Sequence, residues 1–323
     1  MTVQNKVMAG LLALQAVVLI VVFWPGSSGA DVGQLFPGLE EVNVTAVTIT
    51  DSEGRRIRLT RSPFGCVLPE ADDYPCQKDK LSDFLNRVVS ITKASLVAQT
   101  RASHPRLKVA ADQFERLIEL EMAGGDRHKL YLGTSPRARS GHVRPDGQDQ
   151  VFLAPALSAS AASVQPTDWV DPVYFSVPED KIASLTQENS KGRMELKKED
   201  SGDWTLSGEG TGGSLDQTKV QSLVRMLGSL RLLRPLGKEE LDSYGLKQPA
   251  AVITIQTKDG DASSVERVLR IGAKDDQDEG FVVKSSESPY YVVVAGDAVQ
   301  DFLENGSADL LEAPPEPTPE SSS

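Results

Sequence analysis

The chain has 323 residues, which is enough for two ordinary domains that each bury a core. Charged residues make up 25% and hydrophobic residues 39%, a balance typical of a soluble globular body. Acidic side chains outnumber basic ones 46 to 34, and the net charge of −12 repels phosphate backbones, which argues against nucleic acid as a partner.

The amino-terminal segment differs from the rest of the chain. Lys6 lies in a short polar start, and residues 7–24 form an almost uninterrupted apolar run. This run is near the lower limit for crossing a bilayer and longer than the usual core of a cleaved signal. We therefore predict that residues 1–30 hold a transmembrane anchor and a short linker, with the amino terminus in the cytoplasm and the bulk outside it. The alternative is a signal peptide that is removed at the small residues 28–30.

The two cysteines of the chain, Cys66 and Cys76, flank a short polar loop. An oxidising compartment would join them, so we predict a disulfide that staples this loop. Two free thiols are the alternative, and a redox pair is disfavoured because the C-x-x-C spacing is absent. The three histidines, His104, His128 and His142, are not spaced with the cysteines as zinc ligands are, so we predict no metal site.

An internal repeat is the strongest pattern in the sequence. Residues 47–55 align with residues 185–193, and each segment predicts a strand, a tight turn and a return strand, which together make a hairpin. A helix follows in both copies, with apolar residues spaced i, i+3, i+4 and i+7 so that one stripe packs on a sheet. Asp79 and Asp216 precede these helices, where a carboxylate can satisfy free amides. The matched helix positions are Lys80, Leu81, Phe84, Leu85, Val88 and Ile91 in the first copy and Lys219, Val220, Leu223, Val224, Leu227 and Leu230 in the second.

A set of strands follows each helix. Polar and apolar residues alternate in 118–122 and in 253–256, which predicts a half-exposed antiparallel strand in each copy. Each copy therefore predicts a hairpin, one helix and then a meander of about four strands. The remaining matched segments are 130–133 with 269–272, 141–143 with 280–282, and 151–153 with 291–293.

These elements predict an α+β protein built from two tandem repeats that follow one transmembrane helix. Each repeat is an antiparallel sheet, made of a hairpin and a meander, packed on one amphipathic helix. We place the first repeat at residues 31–178 and the second at 179–312. Residues 313–323 are rich in Pro, Glu and Ser without apolar periodicity, and we expect a disordered tail.

Two short motifs resemble ligand-binding loops but fail on their context. Residues 208–213 match G-x-G-x-x-G, yet residues 231–235, about 20 positions on, offer no carboxylate for a ribose. Residues 275–280 resemble a calcium loop, but Ser286 stands where the bidentate glutamate belongs. We expect a flexible loop and a solvated hairpin tip, and no cofactor.

Catalysis has little support in the sequence. A G-x-S-x-G nucleophile motif is absent. His142 aligns with Phe281 in the second copy, which indicates a packing or surface role rather than a general base. Spacing singles out no pair of carboxylates. We predict that the protein is not an enzyme, with a hydrolase of envelope polymers as a less favoured alternative.

The second copy contains the string Tyr244-Gly245-Leu246-Lys247-Gln248-Pro249, followed by Asp259-Gly260 and by Leu269-Arg270-Ile271-Gly272. Together with the preceding helix and residues 230–234, this region resembles the bacterial domain-of-unknown-function family 4340. The resemblance extends from about Gly192 to Leu311 and is weaker in the first copy, where residues 104–108 replace the signature. It implies structural rather than chemical roles, since the glycines and the proline make sharp turns. The signature residues are Tyr244, Gly245, Leu246, Pro249, Gly260 and Gly272.

Members of that family are anchored envelope proteins that often repeat the domain and are commonly encoded beside ABC transporters of the gliding-motility type. The resemblance implies a single-pass protein of the bacterial inner membrane with its bulk in the periplasm. It further implies an interaction or assembly module whose partners are envelope proteins such as ABC-transporter subunits. The alternative is a carrier or sensor that binds a small ligand between the two repeats. The identity of the partner and the oligomeric state stay open.

Overall fold

The computed structural model describes residues 33–207, 214–259, 263–277 and 280–312. Five predicted features lie wholly or partly outside these residues: the membrane anchor, the glycine-rich loop at 208–213, Gly260, the calcium-like loop at 275–280 and the tail at 313–323. Among the residues that the structure describes, no helix is both long enough and apolar enough to cross a membrane.

The described part is mostly β-structure, with two antiparallel sheets and four helices. We call residues 33–172, which form the first sheet, the first half, and residues 173–312, which form the second sheet, the second half. The first sheet consists of β1 (Val44–Asp51), β2 (Arg56–Ser62), β3 (Gly65–Leu68), β4 (Tyr74–Pro75), β5 (Leu96–Ala98), β6 (Arg116–Met122), β7 (Arg127–Leu132), β8 (Gly141–Pro145) and β9 (Val151–Ala154). The second consists of β10 (Val173–Phe175), β11 (Ile182–Asn189), β12 (Gly192–Lys198), β13 (Trp204–Ser207), β14 (Leu230–Gly237), β15 (Ala251–Asp259), β16 (Ser263–Lys274), β17 (Gly280–Ser285) and β18 (Tyr291–Ala295). The helices are α1 (Lys80–Val89), α2 (His104–Leu107), α3 (Gln217–Leu227) and α4 (Gln300–Glu304).

The two sheets share one strand order. The first runs β4-β3-β2-β1-β6-β7-β8-β9-β5, and the second runs β13-β12-β11-β15-β16-β17-β18-β14-β10. Without the edge strands β4 and β10, eight strands of one sheet correspond one to one with eight of the other. Even an irregularity of register recurs, between Val44 and Ala46 in β1 and between Ile182 and Ser184 in β11. A bulge at the same place bends both sheets in the same way.

The observed register corrects one aligned segment of the repeat, residues 141–143. Val143 pairs with Leu132, and in the second half Val283 pairs with Ile271, the counterpart of Leu132. Val143 therefore corresponds to Val283, whereas the sequence alignment matched it to Val282. Phe152 corresponds to Val292 as aligned, because these residues pair with Val143 and Val283. The chain between the paired residues is longer in the second half, and an error of one residue assigns a side chain to the opposite face of the strand.

Helices α1 and α3 bury their apolar stripes as expected. Both helices end earlier than the pattern predicted. Ile91, matched as a helix position, lies beyond α1, and its counterpart Leu230 is the first residue of β14. The buried positions are Leu81, Phe84, Leu85 and Val88 in α1 and Val220, Leu223, Val224 and Leu227 in α3.

The two helix starts differ. The Asp216 carboxylate accepts hydrogen bonds from the amides of Thr218 and Lys219, at 2.9 and 3.2 Å, and caps α3 as predicted. Asp79 makes no capping bond, so that prediction was wrong. The reason is its left-handed backbone, with φ of 60°, since a capping residue needs an extended backbone to aim its oxygen at the helix amides.

A continuous core joins the two halves. Buried apolar residues of both sheets and of both long helices belong to one cluster of contacts. The segment Val173–Phe175 falls inside the range assigned to the first repeat from the sequence, yet it pairs with β14 and adds an edge strand to the second sheet. Just before it, Trp169 is buried with its ring edge-on to Phe84 of α1, at a centroid distance of 5.3 Å. The connection between the halves is thus part of the packed structure.

Candidate functional site

Cys66 and Cys76 form a disulfide that fastens the edge of the first sheet. Their α-carbons are 5.2 Å apart, and the amide of Cys76 donates to the carbonyl of Cys66 at 2.9 Å. The bond links β3 to the residue that follows β4. It holds the β2–β3 hairpin in place, as expected for a staple.

The second half fastens the corresponding strand without a covalent bond. Trp204 opens β13 at the pairing position that Cys66 holds in β3, and both side chains are buried. The side-chain amide of Gln217, in the first turn of α3, accepts from the Trp204 amide at 2.8 Å and donates to its carbonyl at 2.9 Å. One polar side chain and one large ring replace the disulfide.

Two exposed apolar side chains lie at one end of the first sheet. Phe64, in the β2–β3 turn, is 94% exposed, and Val42, in a short 3-10 turn before β1, is 66% exposed. Arg61 of β2 ties these segments together, because its guanidinium donates to the carbonyls of Val44 and Glu41, each at 2.9 Å. We call Val42 and Phe64 the apolar tip.

The fold does not require apolar residues at this place. In the second half the turn between β12 and β13 consists of Glu199, Asp200, Ser201, Gly202 and Asp203, closed by a hydrogen bond from the Glu199 amide to the Asp203 carbonyl at 2.8 Å. The same hairpin is therefore built there from polar residues and glycine. The exposure of Phe64 is a property of the first half alone.

The family-signature residues have structural positions. Gly245 follows a 3-10 turn that ends at Tyr244, and its backbone is left-handed, with φ of 68°. Leu246 is buried on the outer face of the second sheet, and Pro249 is half-buried shortly before β15. A β-carbon on Gly272 would lie 2.1 Å from the Tyr244 carbonyl oxygen, so the turn rests directly on this glycine. The turn covers the outer face of the sheet.

A counterpart of the signature exists in the first half, in the residues 104–108 that replace the signature string in the sequence. Lys108 ends α2 with a left-handed backbone, φ of 53°, as Gly245 ends its turn. A β-carbon on Gly133 would lie 2.0 Å from the carbonyl oxygen of Leu107. The aligned glycines, Gly133 and Gly272, are the sequence signal for this counterpart, because they mark where a covering turn must approach the sheet.

A cleft with a volume of about 320 Å³ lies beside the signature. Its polar groups bind one another: the Tyr291 hydroxyl donates to the Glu240 carboxylate at 3.1 Å, and the Lys284 ammonium lies 5.5 Å from the Tyr291 ring centroid. Burial lowers the pKa of Lys284, and the nearby Arg270 adds to this effect. In these pairings the polar groups of the cleft satisfy one another.

Aromatic side chains and hydrogen bonds close the contact between the halves. The rings of Tyr74 and Tyr290 are 4.6 Å apart, and the Tyr290 hydroxyl donates to the Asp73 carbonyl at 2.8 Å. Within the second half, the Tyr174 hydroxyl holds Tyr290 in place, because it donates to the Tyr290 carbonyl at 2.7 Å and accepts from the Ser285 amide at 2.9 Å. Burial raises the pKa of Tyr74 and that of Tyr174 to about 12. The halves are therefore held together at these positions without a gap for a ligand.

The three histidines contact the rest of the protein in three separate places. His104 contacts the Asp149 carbonyl through Nε2 at 2.8 Å, and a hydrogen bond of 2.9 Å joins His142 Nδ1 to the Thr134 hydroxyl. His128 packs on the ring of Phe36. Burial lowers the pKa of His142 against an opposing hydrogen bond. In the described ranges, no three His, Cys, Asp or Glu side chains are grouped so that they could hold a metal ion.

A larger cleft, of about 460 Å³, lies between α1 and the chain that follows β9. Lys80, Arg87 and Arg139 line it, together with three serines. Sequence reasoning missed this site, because its cations come from two elements that are about 50 residues apart and meet only in the folded chain.

One comparison with known proteins gives a match. The model of the family described as Domain of unknown function (DUF4340) matches residues 67–249, more than half of the chain. The matched range begins in β3 of the first half and ends at Pro249, at the close of the signature string. No curated protein and no solved structure matches.

Proposed function

Since the chain belongs to the DUF4340 family, whose description assigns no activity, we propose that it is a membrane-tethered interaction module of the bacterial envelope. In this proposal the apolar tip of the first half binds another envelope protein, and the chain performs no catalysis. The resemblance of the sequence favours a subunit of an ABC transporter as the partner.

The exposure of Phe64 is the observation that carries the proposal. A phenyl ring that is 94% exposed gains nothing for the fold, and the second half builds the same hairpin without one. Large aromatic residues anchor protein interfaces, where they fill a pocket of the partner. The disulfide next to the hairpin reduces the entropy that the tip would lose on binding.

The position of the tip favours a protein over the bilayer as its partner. The Ser82 hydroxyl donates to Glu41 at 2.9 Å, so the turn that carries Val42 lies beside the first turn of α1. The amide of Leu35 donates to the carbonyl of Ile91, so the described chain starts beside the other end of that helix. Ten helical residues span about 15 Å, so the tip lies about that far from the point where the described chain starts, on the side of the helix away from the tether.

A small-ligand carrier is the second candidate function. The closed contact between Tyr74 and Tyr290 does not support a ligand between the halves. The observation that favours this candidate is the cleft beside α1, where three cations meet within the first half.

Site-specific photocrosslinking in intact cells tests the proposal. A photoreactive residue replaces Phe64 in the full-length chain, and the matched control replaces Ser201 in the polar hairpin of the second half. We expect position 64, and not position 201, to give an adduct that mass spectrometry identifies as an ABC-transporter subunit. Equal adducts at both positions, or adducts of position 64 with lipid alone, would overturn the proposal.

A second measurement separates binding from folding. Phe64→Ser removes the exposed ring, so we expect an unchanged unfolding midpoint and a loss of at least about tenfold in co-purified partner, as for a hot-spot residue. Unchanged co-purification would count against the tip as the binding surface.

A further inference from the structure

The cleft beside α1 brings together cations from two distant segments. Lys80 and Arg87 stand two turns apart on the same flank of α1, and Arg139 comes from the connection between β7 and β8. Three serines, Ser158, Ser160 and Ser163, line the side formed by the chain after β9. The buried ring of Trp169 completes the cavity, which has a volume of about 460 Å³.

The cations of this cleft are not neutralised by the protein. In the described part of the chain, the side chains of Lys80, Arg87 and Arg139 make no hydrogen bond and no ion pair within 4 Å. Asp83 and Asp168 also line the cleft, and neither is within ion-pair distance of these cations. One positive charge remains in excess at this site, in a chain whose net charge is −12. This balance suits one small anionic group rather than a polyanion.

The corresponding place in the second half has a different charge pattern. Lys219 is the counterpart of Lys80, and its ammonium donates to the carbonyls of Asp309 and Leu311 at 2.9 and 3.2 Å. Met226 holds the place of Arg87 in the aligned helix. Lys219 also lines a cleft, of about 260 Å³, but there the carboxylates of Asp216 and Asp301 outnumber it. The second half thus satisfies its cation with main chain, whereas the first half leaves three cations beside its cleft.

The backbone of the cleft is also unusual. Arg139 and Ala156 both line the cavity, and both have left-handed backbones, with φ of 61° and 64°. Such conformations are costly for residues other than glycine, and they cluster at ligand-binding sites.

From these observations we propose that the cleft binds an oxyanion, the carboxylate or phosphate group of a small polar molecule or of one polymer unit. The two guanidinium groups bind its oxygens, as arginine forks do, and Lys80 adds a point charge. The serine hydroxyls hydrogen-bond to the polar remainder of the ligand. This site does not depend on the apolar tip, which lies elsewhere on the first half.

Calorimetric titration of the full-length chain tests the site. Inorganic phosphate and citrate serve as probes at constant ionic strength, with chloride as the reference anion. We expect saturable binding of at least one probe, weakened about tenfold for each of Arg87→Gln and Arg139→Gln, because a hydrogen bond to a charged group is lost. The matched control is Arg225→Gln, which removes one exposed arginine from α3 and should leave the affinity unchanged.

A second readout needs no variant. Lys80 should be protected from acetylation by the bound probe, whereas Lys78, two residues earlier and exposed, should react equally with and without it. Protection of Lys80 alone supports the site. The proposal fails if neither probe saturates, if Arg225→Gln weakens binding as much as Arg87→Gln, or if the probe protects Lys80 and Lys78 alike.

Discussion

The carbonyl oxygen of Tyr244 lies where a side chain on Gly272 would begin, 2.1 Å from the position of a β-carbon there. The same relationship joins Leu107 to Gly133, at 2.0 Å. In both halves a turn crosses the outer face of the sheet at a glycine and covers the apolar residues beneath it. The signature of the family is thus a packing device, used twice.

Replacing Gly272 with alanine should destabilise the protein. The backbone of the turn or of β16 must move to relieve the contact with Tyr244, which we expect to cost about 2–3 kcal/mol of unfolding free energy. Denaturant unfolding measures this change, and Gly133→Ala should behave alike. Gly124→Ala is the control, since a β-carbon there would meet nothing within 4 Å. Equal unfolding midpoints for Gly272→Ala and Gly124→Ala would contradict the prediction.

The disulfide should stabilise the first half. Cys66 and Cys76 close a loop of ten residues, and replacing both with serine should cost about 2–3 kcal/mol, because the unfolded chain regains the entropy of the open loop. Gln217→Ala should cost about 1–3 kcal/mol, because it leaves the buried Trp204 amide and carbonyl without their partner.

Reducing agent separates these two effects. It should lower the stability of the natural chain and of Gln217→Ala by similar amounts, and leave the double serine variant unchanged. If reducing agent leaves the unfolding free energy of the natural chain unchanged, the disulfide does not contribute to stability.

The pH dependence of stability should carry a contribution from His142. Burial lowers its pKa in the folded state, so the folded chain binds fewer protons than the unfolded chain below the ordinary value of 6.5. Its contribution is present above pH 6.5 and is lost as the pH falls below it. His142→Phe, which keeps an aromatic ring and removes the titrating group, should remove that loss and cost less than about 1.5 kcal/mol at pH 8.

The control for this experiment is His128→Phe. That variant keeps the His142 ring and its hydrogen bond to Thr134, so the loss of stability between pH 6.5 and pH 5 should persist. A pH profile of His142→Phe that parallels the natural chain would assign the effect to another group.

Tyr174 should titrate late and should stabilise the second half, where it holds Tyr290 in place. Burial raises its pKa from 10.0 to about 12, so its contribution is complete below pH 10 and is lost as the pH rises towards 12. Phenolate absorbance should show tyrosines that ionise about two pH units above the ordinary value of 10.0, one fewer in Tyr174→Phe. That variant should lose about 1–3 kcal/mol at neutral pH, because the amide of Ser285 loses its acceptor. An unchanged late ionisation in Tyr174→Phe would refute the assignment.

Local pattern was enough to place the elements of each half. The stripe of α1, the hairpin at residues 47–55 and the alternation at 118–122 follow from side-chain periodicity, which is a property of neighbours in sequence. The alignment failed at Val143, which it matched to Val282 rather than to Val283, because strand pairs with connections of unequal length have no local signal that fixes their register. It failed at Asp79 because a left-handed residue before a helix depends on the chain around it.

Residue patterns were enough to establish the repeated order of strands and helices and the spacing of the two cysteines, because these depend on residues close together in the chain. Only the tertiary structure decided that β10 joins the second sheet, that Tyr74 meets Tyr290, and that Lys80, Arg87 and Arg139 share a cleft with no partner in the described residues. These features join residues about 50 to more than 200 positions apart. The physical reason is that such contacts are set by how the sheets and helices pack, which no local periodicity encodes.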